Sequence, residues 1–129
     1  MDRNTDREGG DGLRGIIDSI PVGICVFRRR GDDIFCISAN DAYADMLGLS
    51  VADVVGESIG AVMTRIHPDD VERCRRETAS LLDERHYTRG TYRLYNRKKD
   101  RYCWLHLEGK LSMKPDGNHM AYFTYTDVD

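Results

Sequence analysis

The feature that most constrains this chain is a period of two. In Arg101–Met113, Cys103, Leu105, Leu107 and Leu111 alternate with Trp104, His106, Glu108 and Lys110. Side chains along a β-strand point to opposite faces in turn, so this alternation describes a strand with one buried and one wet face. The same reading holds for Tyr87–Tyr95, where Tyr92 and Leu94 alternate with Thr91, Arg93 and Tyr95, and for His119–Asp127. Lys114–Gly117 reads Lys-Pro-Asp-Gly, a tight turn in which Pro fits the second position, Asp the third, and Gly takes a positive φ. Three such strands in succession imply an antiparallel sheet, and a one-sided sheet needs an apolar cover.

The first half of the chain supplies more strands and the cover. Val22–Phe27 is a nearly continuous apolar run, too short for a typical helix, and predicts a central strand buried on both faces. Asp33–Ser38 predicts its hairpin partner across Arg28–Asp33, and Asn96–Arg101 is a second charged hairpin tip. Leu13, Ile16, Ile17 and Ile20 fall on one helical stripe that Pro21 ends. Asn40 reads as the N-cap of a helix over Asp41–Leu47, with Gly48 as its stop. Ser50 with Asp53 resembles a capping box for a very short helix closed by Gly56, and Ser58–Ile66 is a further short helical stretch. Val71, Cys74, Thr78, Leu81 and Leu82 share one face of a longer helix, Pro68–Arg85. The whole is an antiparallel α+β domain with its helices on one face of the sheet.

Residues 66–70, Ile-His-Pro-Asp-Asp, admit two readings. As chemistry, His67, Asp69 and Asp70 would hold a metal, but adjacent helical residues diverge by about 100° and the carboxylates do not converge. As structure, His67 caps the helix, Pro68 sits at the first position, where its missing N–H is no loss, and the aspartates complement the dipole. The structural reading is preferred, with no metal.

Composition narrows the class. The 129 residues suit one domain, read as a polar, Gly-rich, disordered leader over 1–12 and a domain over 13–129, with a flanking helix at 13–20 and a core at 21–128. A net charge of −3 argues against nucleic acid, and no apolar run reaches membrane-spanning length, so no membrane contact is expected. Four widely spaced cysteines without a Cys-x-x-Cys motif read as buried free thiols in a reducing cytoplasm.

Taken in order, these segments resemble a PAS domain from about Leu13 to Val128, of the kind containing a His-Pro-Asp-Asp motif and found in bacterial-type signalling proteins. The resemblance lies in Pro21–Phe27 as first strand, the Asn-Asp-Ala of Asn40–Ala42 with the following helix and Gly48, and His67–Asp70 before the long helix. It continues in Thr91–Leu111, a strand, a Lys-Asp turn and a Trp-containing strand, and in the closing Tyr125–Asp129. Two positions depart from the family pattern: Arg101 stands where the turn usually has Gly, and Asp129 where a closing motif has Thr. The resemblance implies a five-stranded antiparallel sheet in the order 2-1-5-4-3. It also implies a sensory or dimerisation role beside an effector such as a histidine kinase or the GGDEF and EAL enzymes of cyclic di-GMP. The effector is expected to be absent from this chain and to act C-terminally or in trans, so the chain itself is not expected to be an enzyme.

Many PAS domains enclose a small molecule between sheet and helices. The inward face nominates Tyr92, Leu94, Leu105, Leu107, Phe123 and Tyr125, with Gly109, Leu111 and Ala121 beside them, and the helices add Met46, Met63, Val71 and Thr78. These residues either line a pocket, with Thr78, Tyr92 and Tyr125 as its polar groups, or simply fill a core. None of the four histidines is placed as an inward haem ligand, and the Asn-Cys-Arg-Phe signature of cysteine-adduct flavin domains is missing from Ser58–Ile66, so no haem or flavin is expected. The competing enzyme reading takes His106 and Glu108 as an acid–base pair, on a face predicted to point away from the pocket. For output, Leu13, Ile16, Ile17 and Ile20 with Trp104 on the outer sheet face predict a homodimer, with or without a ligand.

Overall fold

The alternating segments pair as the period of two requires. The computed structural model describes residues 21–81 and 85–129. The strands are β1 (Val22–Arg30), β2 (Asp33–Ala39), β3 (Tyr87–Asn96), β4 (Arg101–Ser112) and β5 (His119–Asp127). They form one five-stranded antiparallel sheet in the order β2-β1-β5-β4-β3. Between β2 and β3 run α1 (Asp41–Met46), α2 (Val51–Val54), α3 (Ile59–Met63) and α4 (Pro68–Thr78), then a 3-10 turn over Ala79–Leu81. The leader expected at 1–12, the stripe of Leu13, Ile16, Ile17 and Ile20, and Leu82 lie outside the described residues.

The core fills the space between one sheet face and the helices. Cys25, Phe27, Cys36, Tyr92, Leu94, Leu105, Leu107, Phe123 and Tyr125 from the sheet meet Tyr43, Leu47, Val54, Val62 and Cys74. All four cysteines are buried free thiols. One expectation changes. β1 is buried on one face only, through Gly23, Cys25 and Phe27, while Val22, Ile24 and Val26 are half-buried on the other. The three arginines read as a hairpin tip also belong to β1, and the turn is only the two residues between Arg30 and Asp33.

Short polar side chains fix where the helices start. Asn40 caps α1, and its Oδ1 accepts from Tyr43 N and from Ile24 N, both at 2.9 Å, while Nδ2 donates to Val22 O at 3.0 Å. One amide thus starts a helix and bonds it to β1. Ser50 and Asp53 form a complete capping box on α2. Gly48 ends the α1 segment at φ +68°, and a Cβ there would meet Lys98 N at 2.4 Å, so the position needs both the left-handed backbone and the missing side chain. The hairpin of residues 96–101 accordingly packs back on α1, with Asn96 Nδ2 donating to the carbonyls of Asp45 and Met46.

Helix α4 begins as expected and ends sooner. His67 is the N-cap, its Nδ1 accepting from Asp69 N at 3.1 Å, and Pro68 follows. The α-helix stops at Thr78 rather than reaching Arg85, because hydroxyl groups take its last carbonyls. Thr78 Oγ1 donates to Cys74 O, while Ser80 Oγ and Thr88 Oγ1 both donate to Glu77 O at 2.8 Å. Both sheet edges are partly covered by backbone. Residues 65–67 pair with β3 through Ile66 and Leu94, and Ser58 pairs with Phe35 on β2.

Asp70 does more than complement a dipole. Its side chain is only 6% exposed and accepts three bonds from Arg93: backbone N at 2.8 Å, Nε at 3.0 Å and Nη2 at 2.9 Å. The Arg93 bonds hold the Asp70 carboxyl down at about 2, below the roughly 3.9 of a free aspartate. Because the folded value lies below the unfolded one, this stabilisation is complete above about pH 5 and is lost as pH falls toward 2, about 2 kcal/mol in all. Asp70→Asn is therefore expected to lower stability by about 2 kcal/mol or more at pH 7 and to flatten the acid limb between about pH 5 and 2. Asp69→Asn, at an exposed first-turn position, should remove only a few tenths of a kcal/mol. Urea denaturation across pH checks both, and equal losses for the two variants would contradict the assignment.

Candidate functional site

A cavity of about 380 Å³ lies between the sheet and the helices. Its floor is Phe27, Leu94, Leu107, Leu111, Ala121, Phe123 and Tyr125. Its roof is Ile59, Val62 and Met63 of α3, Ile66, and Cys74, Thr78, Ala79 and Leu81 at the end of α4. The room comes from small side chains facing each other, Cys74, Thr78 and Ala79 above Ala121. Phe123 lies flat because β4 has a glycine beneath it: a Cβ on Gly109 would meet the Phe123 ring at 2.5 Å. Phe123 meets Phe27 edge-on at 5.7 Å.

Of the residues nominated from sequence, Met63, Thr78, Leu94, Leu107, Leu111, Ala121, Phe123 and Tyr125 line this cavity. Met46, Val71, Tyr92 and Leu105 do not. Met46 and Val71 are partly buried against the core elsewhere. Tyr92 faces the helices, but its hydroxyl donates to Glu77 at 2.7 Å, and Arg73 lies over its ring at 4.6 Å. Leu105 is opposite Tyr92 in the β3–β4 register and is 1% exposed. Sequence reasoning missed Phe27, Arg29, Ile34, Ile59, Val62, Ile66, Cys74, Arg75, Ala79 and Leu81. Phe27, Arg29 and Ile34 were findable, since they share the inward face of β1 and β2 with Cys25 and Cys36, but the charge run hid Arg29 inside a supposed tip.

The polar groups of the cavity are few. Thr78 spends its hydroxyl proton on Cys74 O, and burial pushes the Cys74 thiol up to about 11. Tyr125 is 4% exposed, and among the described residues its hydroxyl has no hydrogen-bond partner. Burial, with Tyr43 next in order, pushes the Tyr125 phenol well above its ordinary range, so it stays a neutral donor. Tyr43 stacks against it at 5.0 Å with its own buried hydroxyl unpaired. Two cations stand at the solvent side: half-buried Arg29, whose Nε donates to Gly31 O at 3.1 Å, and exposed Arg75.

The other chemical candidates lie elsewhere. His106 and Glu108 approach to 3.6 Å, but on the outer sheet face, where Thr91 contacts His106 Nδ1 and Tyr87 donates to Glu108. Neither lines the cavity, nor do His67, His86 or His119. Among the described residues no three His, Cys, Asp or Glu side chains gather as a metal ion needs. No helix among them is long and apolar enough to cross a membrane.

The outer sheet face carries exposed aromatic surface. Trp104 is 40% exposed at one end of β4, with Tyr102 two residues before it, and Tyr122 is 45% exposed on β5 opposite Lys110, toward the other end of β4. Tyr122 pairs with half-buried Val26, and Arg93 lies over the Trp104 ring at 5.0 Å. The end of the chain is bound to the same strand: Val128 N donates to Trp104 O, Trp104 N donates to Asp129 Oδ1, and Arg101 and Asp129 approach to 2.7 Å. The two positions that depart from the family pattern are thus ion-pair partners.

Residues 36–123 match the family model described as the PAS fold. Over 106 residues the chain is 36% identical to the two-component sensor PprA of Pseudomonas aeruginosa, covering 81% of this chain but 11% of that protein, so it spans about a tenth of that relative. A PAS domain from Colwellia psychrerythraea superposes with a TM-score of 0.70 at 18% identity, over 92% of this chain and 95% of that one. The N-terminal domain of a diguanylate cyclase with a PAS/PAC sensor from Marinobacter aquaeolei superposes at 0.66 and 15% identity, over 82% and 94%. With the strand order, the His-Pro-Asp-Asp helix start and a family match over most of its length, the chain belongs to the PAS fold family of sensory domains.

Proposed function

We propose that this domain senses a small, largely apolar molecule in its cavity and passes the signal through the outer sheet face to a signalling effector. The observation that carries this reading is the cavity: about 380 Å³, apolar on nearly every side, with Tyr125 in its floor. A volume in the lower part of the roughly 300–1,000 Å³ range of small-molecule sites suits a compact ligand. Such a ligand would contact Leu107, Phe123 and Tyr125; haem is not expected, because among the described residues no histidine borders the site, nor is a flavin, because the Asn-Cys-Arg-Phe signature is missing from Ser58–Ile66. The effector is a histidine kinase or a cyclic di-GMP enzyme, joined C-terminally or acting in trans in the cytoplasm. The likeness to a two-component sensor and to a diguanylate cyclase sensor supports that pairing.

A second reading has its own observation. The half-buried Val22, Ile24 and Val26, with Tyr122 opposite Val26, make an apolar patch on the outer face, and exposed Trp104 and Tyr102 add a second at the end of β4. A second copy of the chain is its proposed occupant, brought in by the amphipathic stripe of Leu13, Ile16, Ile17 and Ile20 directly before β1. The domain is then a weak homodimer, whether or not a ligand is bound.

Two tests follow. Leu107→Trp fills the cavity floor, so the folded variant is expected to lose the small ligand that native mass spectrometry finds on the wild type. The wild type should show no Soret or flavin absorption even when purified with those cofactors supplied, and either band would refute the ligand class. Ile16→Asp with Ile17→Asp, or Trp104→Ala alone, should shift a concentration series in analytical ultracentrifugation toward monomer. A wild type that stays monomeric throughout would remove the dimer route.

A further inference from the structure

We infer that the cavity takes an amphipathic monocarboxylate, with its apolar tail inside and its carboxylate at the rim between Arg29 and Arg75. This rests on the ligand-binding reading above and adds the ligand's charge. Arg29 comes from the inward face of β1 and Arg75 from α4, so one cavity is lined by an arginine from the sheet and an arginine from the helix roof. Neither forms an ion pair among the described residues, and Arg29 keeps its terminal nitrogens available after its single Nε bond to Gly31 O. Several other arginines are engaged: Arg65 with Glu57, Arg73 with Asp70 and Glu77, Arg93 with Asp70. Among the described residues no carboxylate lines the cavity.

The geometry separates the two ends of a ligand. Arginine stems cover apolar wall while their heads stay near water, which places positive charge at the rim and none inside. A dicarboxylate would bury its second charge against Phe27, Leu107 and Phe123 with no cation to meet it, and an amine would face two cations at the rim. A single carboxylate on an apolar chain satisfies both ends, and a planar carboxylate matches a guanidinium fork. The Tyr125 hydroxyl remains for a polar substituent along the tail.

The test is isothermal titration of the whole chain with octanoate, octan-1-ol and octyltrimethylammonium below their micellar concentrations. Octanoate should bind about tenfold tighter than octan-1-ol, as a charged hydrogen bond implies, and the ammonium weakest. Hexanoate should bind roughly fifteenfold more weakly than octanoate, from about 0.8 kcal/mol per lost methylene. Arg29→Gln with Arg75→Gln should erase the preference for octanoate while leaving octan-1-ol binding intact, whereas Arg76→Gln, off the cavity, changes neither. Arg29→Lys, which keeps the charge, should retain most of the preference. Octan-1-ol binding as well as octanoate, or a double variant that keeps the preference, overturns the carboxylate assignment and leaves the apolar cavity reading standing. Binding by none of the three probes overturns both.

Discussion

The Asp70–Arg93 pair holds the domain together across its least regular boundary. Beyond its N-cap, where His67 N donates to Arg93 O, helix α4 has no backbone bonds to the sheet, so its position rests largely on side chains. Asp70 reaches β3 at three points, one of them a backbone N–H, and so sets height and rotation of the helix start together. The carboxylate is nearly sheltered from water, and a sheltered ion pair is worth having only when its lone pairs are satisfied, as these are. Arg73 closes the arrangement by donating to Thr91 O and to Glu77, which in turn accepts from Tyr92. The far end of α4 is tied to β3 as well, through Thr88 and Glu77.

A cavity follows from this anchoring. With both ends of α4 fixed to β3, the helix cannot sink onto the sheet to fill the gap above Ala121 and Phe123. The facing residues, Cys74, Thr78 and Ala79, are too small to close it. Good packing ordinarily leaves few voids larger than a water molecule, so a space of about 380 Å³ in so small a domain needs a mechanical reason of this kind. The polar clamp supplies it without placing a charge on the cavity wall, since Asp70, Arg73 and Arg93 all lie outside the lining.

The sheet was legible because period-two alternation is a local signal, and so were the inward faces of β4 and β5. The caps at Asn40, Ser50 and His67 were legible for the same reason: each acts within a few residues. What stayed hidden depends on contacts between residues far apart in sequence. The Asp70 partner is 23 residues away, and the end of α4 is set partly by Thr88 on the next strand. Tyr92 has the correct face but not the cavity, because its hydroxyl is drawn to Glu77. Arg29 was lost because a run of three arginines reads as solvated surface, although the strand simply continues through it.

Arg93 also joins the two faces of the sheet. It stands on the outer side of β3, reaches round that strand to Asp70 on the helix side, and lies over Trp104 on the outer side. Trp104 in turn holds the chain's last residues through both of its backbone groups, and Arg101 holds Asp129. The helix that roofs the cavity is thus connected to the C-terminal segment by contacts made entirely within β3 and β4. A second connection runs along β5, from Phe123 and Tyr125 in the cavity floor to Asp127, opposite Leu105 in the register. Both converge on Trp104, at the edge of the apolar outer face. On the proposed sensing role, a molecule that displaced Phe123 or the α4 roof would act on this one junction from two directions, and cavity occupancy would reach the outer surface without requiring the sheet to unfold.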